Sequence, residues 1–289
     1  MIIDGRKISE EVLEELKRQI SSKNLKLRLA AVLVGNDQEF EKFVQLKGKA
    51  AKKIGVEFKI RQFPKEIETE ELAKRIREIS AIADGILVEM PLPEHIDSSE
   101  VLNEIPVEKD VDVLSEKAQR RFYGQDLEVE LPSGLGSSTS RQVFPPAVEA
   151  LKIVLEKYSV VVKGKKVAVF GQGALIGKPI SHWLERQGAE VFRIRSKTEN
   201  PEKFSREVNI VIAGVGKPGL IMGDMVREGV IVIDFGYGKK DNKMVGDVDF
   251  DSVSPKASLI TPVPGGMGPI LIVAVLKNLV KLNAGYDIS

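Results

Sequence analysis

The chain contains no cysteine, which excludes disulfides and thiol chemistry. Histidine is nearly as scarce. His95 and His182 are the only two, and no His–carboxylate cluster accompanies them, which argues against a zinc site; no metal is expected. Charge of one sign is lacking too: 43 basic residues against 42 acidic ones leave a net charge of +1. No global field therefore draws the protein to nucleic acid or to a membrane surface, and no basic stripe carries interleaved aromatics. No apolar run is long enough to span a bilayer. The opening MIIDGRKISEEVLEELKRQI reads as a short strand and an amphipathic helix, not as a secretory signal. These absences point to a cytoplasmic protein. What remains is 289 residues, 43% hydrophobic and 29% charged, enough for two ordinary globular domains.

Strands and helices alternate along the first part. RLAAVLVG (28–35) is an apolar run rich in strand formers, a helix follows over 40–54, EFKIRQF (57–63) is the next strand and 69–81 the next helix. ADGILVEMPLP (83–93) reads as an apolar strand stopped by prolines, and SSEVLNEI as a short helix with a serine N-cap. The segment LPSGLGSSTSRQ (131–142) is Gly/Ser-rich and reads as a linker or, alternatively, a substrate lid. FPPAVEALKIVLEKY then starts a helix with proline in its first turn. A second α/β series begins at GKKVAVFGQG; its strands end in glycine-bearing loops, and ILIVAVLKNLVKLN (270–283) closes the chain as an apolar helix. Such alternation predicts an α/β fold with parallel sheets, and parallel sheets bind ligands at the carboxyl ends of their strands.

FEKFVQLKGKAAKKI (40–54) holds five lysines. On a helical wheel of about 100° per residue, Phe40, Phe43, Val44, Ala50, Ala51 and Ile54 fall within roughly 60° of Lys47. Lys42, Lys49, Lys52 and Lys53 fall on the opposite side, as a solvated face. Lys47 alone sits in the apolar stripe. Either its ammonium snorkels past its neighbours, or it faces a cleft, where a poorly solvated amine becomes a usable acid or base.

VAVFGQGALIGKP places Gly171, Gly173 and Gly177 between an apolar strand and a helix, spaced G-x-G-x-x-x-G. Glycines there let the backbone turn tightly and approach a pyrophosphate on the helix N-terminus. A glycine triplet also serves plain tight turns; the β-α-β context favours the nucleotide. The next strand ends VFRIRSKT, with Arg193, Arg195, Ser196 and Lys197 and no carboxylate to take ribose hydroxyls. That cluster suits a 2′-phosphate, so NADP is favoured, with NAD left open.

Together DGILVEMPLP, EKDVDV, IGKP, VGKPG, IVIDFG, VGDVDF and TPVPGGMGP make the chain resemble the bifunctional methylenetetrahydrofolate dehydrogenase/methenyltetrahydrofolate cyclohydrolase family, from IIDGRKI to the last helix. The resemblance implies two α/β domains with a cleft between them. An N-terminal folate-binding catalytic domain (1–143, with the returning helix 269–289) would precede a Rossmann-type dinucleotide-binding domain (144–268). It implies a homodimer active in one-carbon metabolism. The reaction would be oxidation of 5,10-methylenetetrahydrofolate to 5,10-methenyltetrahydrofolate by hydride transfer to NADP (or NAD), with hydrolysis to 10-formyltetrahydrofolate in many members.

By the same resemblance the catalytic lysine is Lys47 and the pterin-binding aspartate Asp112, an acid able to accept paired hydrogen bonds from an aminopyrimidine edge. Pro264, Gly265 and Gly266 would line the folate site through their backbone. Gly171, Gln172, Gly173, Ile176, Gly177, Arg195, Ser196, Lys197, Val215, Gly216 and Tyr237 would hold the dinucleotide. Several positions depart from the family pattern. Phe43 stands for the usual tyrosine, Glu89 for a glutamine, Pro145 for a threonine, Gln172 for a frequent arginine and Leu271 for a threonine, and the segment from Asp112 to Pro146 is longer than usual. Glu89 can pair with Lys47 or take part in proton transfer itself. Because the departures cluster on the acid/base side, the expectation is a retained dehydrogenase with a weakened or altered cyclohydrolase. Two alternatives stay open: a relative acting on a modified pterin or another small substrate, and a catalytically silent NAD(P)-binding regulatory protein.

Overall fold

The computed structural model describes residues 1–124, 143–240 and 243–284, so the Gly/Ser-rich 131–142 lies outside the described residues. The chain divides into two compact units: Glu11–Pro146 with Ile272–Ser289, and Met1–Glu10 with Ala147–Leu271. These divisions fall after 146 and 271. Residues 1–10 group with the later unit for a local reason. Ile3 N donates to Ile260 O (2.8 Å) and Ile260 N to Met1 O (3.0 Å), so the first residues run beside the strand at 259–260.

In chain order the first part comprises α1 (Gly5–Ser22), β1 (Arg28–Val34), α2 (Gln38–Lys53), β2 (Glu57–Phe63), α3 (Thr69–Ser80), β3 (Gly85–Val88), α4 (Ser98–Asn103) and α5 (Glu116–Tyr123). Its three strands are parallel in the order β2-β1-β3. Leu29 to Leu33 in the central strand are all buried, which is why RLAAVLV reads as a continuous apolar run instead of an alternating one. Helix α3 turns Leu72, Ile76 and Ile79 into the same core as Val32, Ile86 and Val88.

Strand β3 stops at Val88, shorter than the anticipated 83–93: Glu89 N still donates to Val32 O (3.0 Å), but the following prolines have no N–H to continue a ladder. The N-cap of α4 is Asp97, not the anticipated serine; its carboxylate accepts from Ser99 N and Glu100 N. Helix α5 was not anticipated, although Ser115 caps it and Gly124 ends it in the left-handed conformation.

The second series comprises α6 (Pro146–Lys157), β4 (Lys166–Phe170), α7 (Gly177–Arg186), β5 (Glu190–Ile194), α8 (Pro201–Ser205), β6 (Ile210–Ala213), β7 (Ile231–Asp234), β8 (Gly238–Lys240), β9 (Lys243–Val245), α9 (Phe250–Val253), β10 (Leu259–Ile260) and α10 (Met267–Asn283). A five-stranded parallel sheet runs β10-β7-β6-β4-β5. The strand order reverses between β4 and β6, so the loops leaving these two strands flank the crevice where such folds take ligands. The later part of α10 belongs with the earlier elements: Asn278 Nδ2 donates to Val111 O and Phe144 O, both at 2.8 Å.

Between β3 and α5 the chain turns on Asp110, which is fully buried. Its carboxylate accepts from Leu114 N (2.9 Å), Ser115 N (2.7 Å) and Ser115 Oγ (2.7 Å). A buried carboxylate needs such donors, and donors aimed at one carboxylate need it in return. Asp110→Ala is expected to lower stability by on the order of 3 kcal/mol, read from the urea midpoint; an unchanged midpoint would refute the anchoring role.

Candidate active site

Lys47 lies on α2, which follows β1, and Glu89 lies immediately after β3. Glu89 stands at the carboxyl end of β3, and the Lys47 side chain reaches it from α2: Lys47 Nζ donates to Glu89 Oε1 at 2.5 Å. Their side chains are only 16% and 10% exposed, so this is a largely desolvated ion pair and not surface decoration. The apolar stripe on α2 holds: Val44, Ala51 and Ile54 are buried, while Lys42, Lys49, Lys52 and Lys53 are exposed. The snorkelling alternative for Lys47 gives way to a paired one.

Asp112 completes the cluster. It is half-buried, and among the described residues no hydrogen-bond donor reaches its carboxylate. Burial pushes its carboxyl up to about 7; the Lys47 ammonium pulls it back, and the carboxylates of Glu89 and Asp110 push it further up. A carboxyl poised near neutrality beside a lysine–glutamate pair can bind an N–H-rich edge and can exchange a proton. Phe43, one helical turn before Lys47, is half-buried.

The glycine loop is tightly closed. Gly171, at φ +88°, follows β4; a Cβ there would approach Gly214 O to 2.6 Å, and one on Gly177 would approach Gly171 O to 1.8 Å. These two glycines are therefore required for the loop to close on itself. Gly173 is exposed with open space around it, and α7 begins at Gly177. Gln172 is turned inward, its Nε2 donating to Gly171 O (2.8 Å) and Ser181 Oγ (3.1 Å), so this side chain braces the loop. Ile176 fills the space beside Gly214. After β5, Arg195, Ser196 and Lys197 are all exposed, whereas Arg193 is held by Glu185 at 2.8 and 3.0 Å. Arg195 and Lys197 are the exposed cations of this strand end, next to the glycine loop through the Gly171 N to Ile194 O bond (3.0 Å), where they could meet a phosphate.

Family models match both parts of the chain. That of the tetrahydrofolate dehydrogenase/cyclohydrolase catalytic domain covers residues 3–112, and that of the NAD(P)-binding domain of the same family covers 145–286. The chain belongs to the tetrahydrofolate dehydrogenase/cyclohydrolase family. It is 37% identical over 286 residues to the bifunctional protein FolD of Mycoplasmopsis synoviae, covering 97% of this chain and 99% of that one. The crystal structure of the bifunctional enzyme FolD from Campylobacter jejuni superposes with a TM-score of 0.88 at 33% identity, covering 98% of each chain. That of the Trypanosoma brucei methylenetetrahydrofolate dehydrogenase-cyclohydrolase, complexed with NADP cofactor and inhibitor, gives 0.86 at 29% identity, covering 98% of this chain and 96% of the other.

Within this tetrahydrofolate dehydrogenase/cyclohydrolase chain, Lys47, Glu89 and Asp112 come together in one unit. Pro264, Gly265 and Gly266 belong to the other unit, in the loop after β10, where Gly265 O accepts from Gly5 N (2.9 Å). Val215 and Gly216 are exposed on the loop after β6, and Gly216 lies against Tyr237 O.

Two further acids were not singled out from the sequence, although IVIDFG and VGDVDF contain them. Asp234 closes β7 and is 2% exposed; it accepts from Gly236 N (2.7 Å) and Val248 N (3.0 Å). Burial pushes its carboxyl up to about 6, the N–H groups of Val248 and Gly236 pull it down, and the neighbouring Asp247 pushes it up. Their one sequence signal is an acid placed directly after an apolar strand or within a glycine turn.

Proposed function

We propose that this chain oxidises 5,10-methylenetetrahydrofolate to 5,10-methenyltetrahydrofolate with NADP+ and hydrolyses the product to 10-formyltetrahydrofolate. The observation that carries this reading is the desolvated Lys47–Glu89 pair beside Asp112, in the region matched by the family's catalytic-domain model. Bound NADP+ would supply the hydride acceptor for the methylene carbon. The chain supplies position and proton traffic. Arg195, Ser196 and Lys197 suit the 2′-phosphate, and the loop Gly171–Gly177 suits the pyrophosphate at the start of α7. Val215, Gly216 and Tyr237 serve the nicotinamide end. Asp112, ionised, accepts paired hydrogen bonds from the aminopyrimidine edge and fixes the pterin.

Hydrolysis needs more than position. Water adds to the methenyl carbon, one carbon–nitrogen bond opens, and a proton is released. The Lys47–Glu89 pair supplies the proton path, with Glu89 accepting through the lysine Nζ at 2.5 Å. Without the usual tyrosine hydroxyl at Phe43, this path rests on the pair alone.

An absorbance assay of the methenyl product, run separately with NADP+ and NAD+, tests the reading. Rapid product formation with NADP+ is expected, and its absence would sink the assignment. Lys47→Ala should slow methenyl hydrolysis by on the order of 100-fold. Hydrolysis that proceeds undiminished in that variant removes Lys47 from the mechanism.

Asp112 gives the binding a pH dependence of known sign. With its carboxyl at about 7, acidification protonates it and removes an acceptor, so folate affinity should fall as pH drops through that value, by up to about tenfold per unit. Asp112→Asn should bind weakly at all pH values. Calorimetric titration that finds a flat affinity for the wild type between pH 8 and about 6 contradicts the assignment.

A second copy of the chain is the proposed partner. Among the described residues the outer edge of β2 is unpaired. Beside it lies a groove of about 520 Å³ lined by Arg61, Phe63, Ile67, Ile79 and Ile82, and Ile60 and Ile82 are 44% and 50% exposed. An open edge next to apolar surface favours association. Light scattering should give a dimer for the wild type and a shift towards monomer for Ile82→Glu; a monomeric wild type would exclude this surface.

A further inference from the structure

Asp247 is fully buried in the turn between β9 and α9. Its carboxylate accepts three consecutive backbone N–H groups of the loop after β6: Val215 N at 2.5 Å, Gly216 N at 3.2 Å and Lys217 N at 2.6 Å. Val215, Gly216 and Lys217 are themselves exposed, so the loop is tied from beneath by one side chain. The tie is built on both sides. Asp234 Oδ1 accepts from Asp247 N (3.3 Å), and Asp247 O accepts from Ile221 N (2.9 Å). A Cβ on Gly236 would come within 2.3 Å of Asp247 Cγ, and one on Gly246 within 2.0 Å of Asp234 Oδ2, so both glycines are required by the closeness of the two acids. Three successive N–H groups converging on one point form an anion-binding nest, here filled by the chain's own carboxylate. In a trans peptide the carbonyl points opposite to its N–H. The carbonyls of Gly214, Val215 and Gly216 consequently face away from Asp247, and among the described residues no loop or turn N–H of the backbone donates to them.

We propose that Asp247 is a positioning residue for the dinucleotide, holding the loop Val215–Lys217 so that it presents carbonyl acceptors, and not amide donors, to the nicotinamide end. This rests on the dehydrogenase reading above. The loop leaves β6 at the reversal of strand order, where the cofactor's reactive end must be placed against the substrate. Asp247 touches no ligand; it acts through the three amides.

The test compares Asp247→Asn with Asp249→Asn in the full chain. Asp249 caps α9, accepting from Ser252 N (3.0 Å), and serves as a control for general loosening of the same turn. Asp247→Asn keeps the shape but offers one acceptor where the loop presents three donors. Its KM for NADP+ should rise by about tenfold or more, with the folate KM and the rate at saturating NADP+ far less affected, while Asp249→Asn leaves the NADP+ KM near wild type. An unchanged KM in folded Asp247→Asn, or an equal rise in Asp249→Asn, overturns the proposal. Should Asp247→Asn fail to fold, amide hydrogen exchange on the cofactor-free wild type decides. Val215, Gly216 and Lys217 should be strongly protected despite their exposure, and free exchange there overturns it. NADPH binding followed by fluorescence gives the same comparison if the wild type turns over no folate, so loss of the functional reading and loss of this inference remain distinguishable.

Discussion

A parallel strand that ends in a tight loop leaves backbone N–H groups pointing into the protein, where water cannot serve them. Burying them unpaired would cost several times what a single hydrogen bond contributes. This chain meets the requirement repeatedly with a buried aspartate: Asp110 gathers the amides of Leu114 and Ser115, Asp234 those of Gly236 and Val248, and Asp247 those of residues 215–217. Each carboxylate is tolerable in the interior only because the amides surround it, and each loop is ordered only because the carboxylate is there. The surfaces that face ligands are thus held from behind.

Asp110 and Asp112 show how closely the two uses of an acid can lie. Asp110 is saturated with donors and serves the turn. Asp112, two residues later, receives no hydrogen bond within the described chain and is poised between its two protonation states. Glu89 enters twice, as partner of the Lys47 ammonium and as one of the charges that push Asp112 towards protonation. Charge on one member of the cluster therefore alters the readiness of the others, and a folate that donates to Asp112 would draw on the same electrostatic balance.

Much of this was legible in the sequence where the signal is local and periodic. The wheel of 40–54 isolated Lys47 because a helix repeats every few residues, and the strands at 28–34 and 57–63 announce themselves by composition. The glycine loop and the basic end of β5 are short-range patterns with a direct physical cause. What escaped depends on partners distant in sequence or on competition between equals. Asp97 outcompeted the neighbouring serine as a cap, a choice decided by backbone geometry at the turn. Helix α5 was hidden in a polar stretch, its start and stop marked only by Ser115 and Gly124. Asp247 reaches back about thirty residues to its loop, and no spacing rule connects VGDVD with VGKP.

The composition of the two units bears on how the chain is made. One unit takes its last residues from 272 onwards, and the other takes residues 1–10 with 147–271. Neither is an uninterrupted stretch. Gly85, in β3, packs against Leu279 and Val111, and Val111 O waits for Asn278. A nascent chain emerging from a ribosome can assemble β1, β2 and β3 early, but it must keep their open face from sticking elsewhere until α10 is released. Completion of the half that holds Lys47 therefore waits until the residues from 272 onwards have been made.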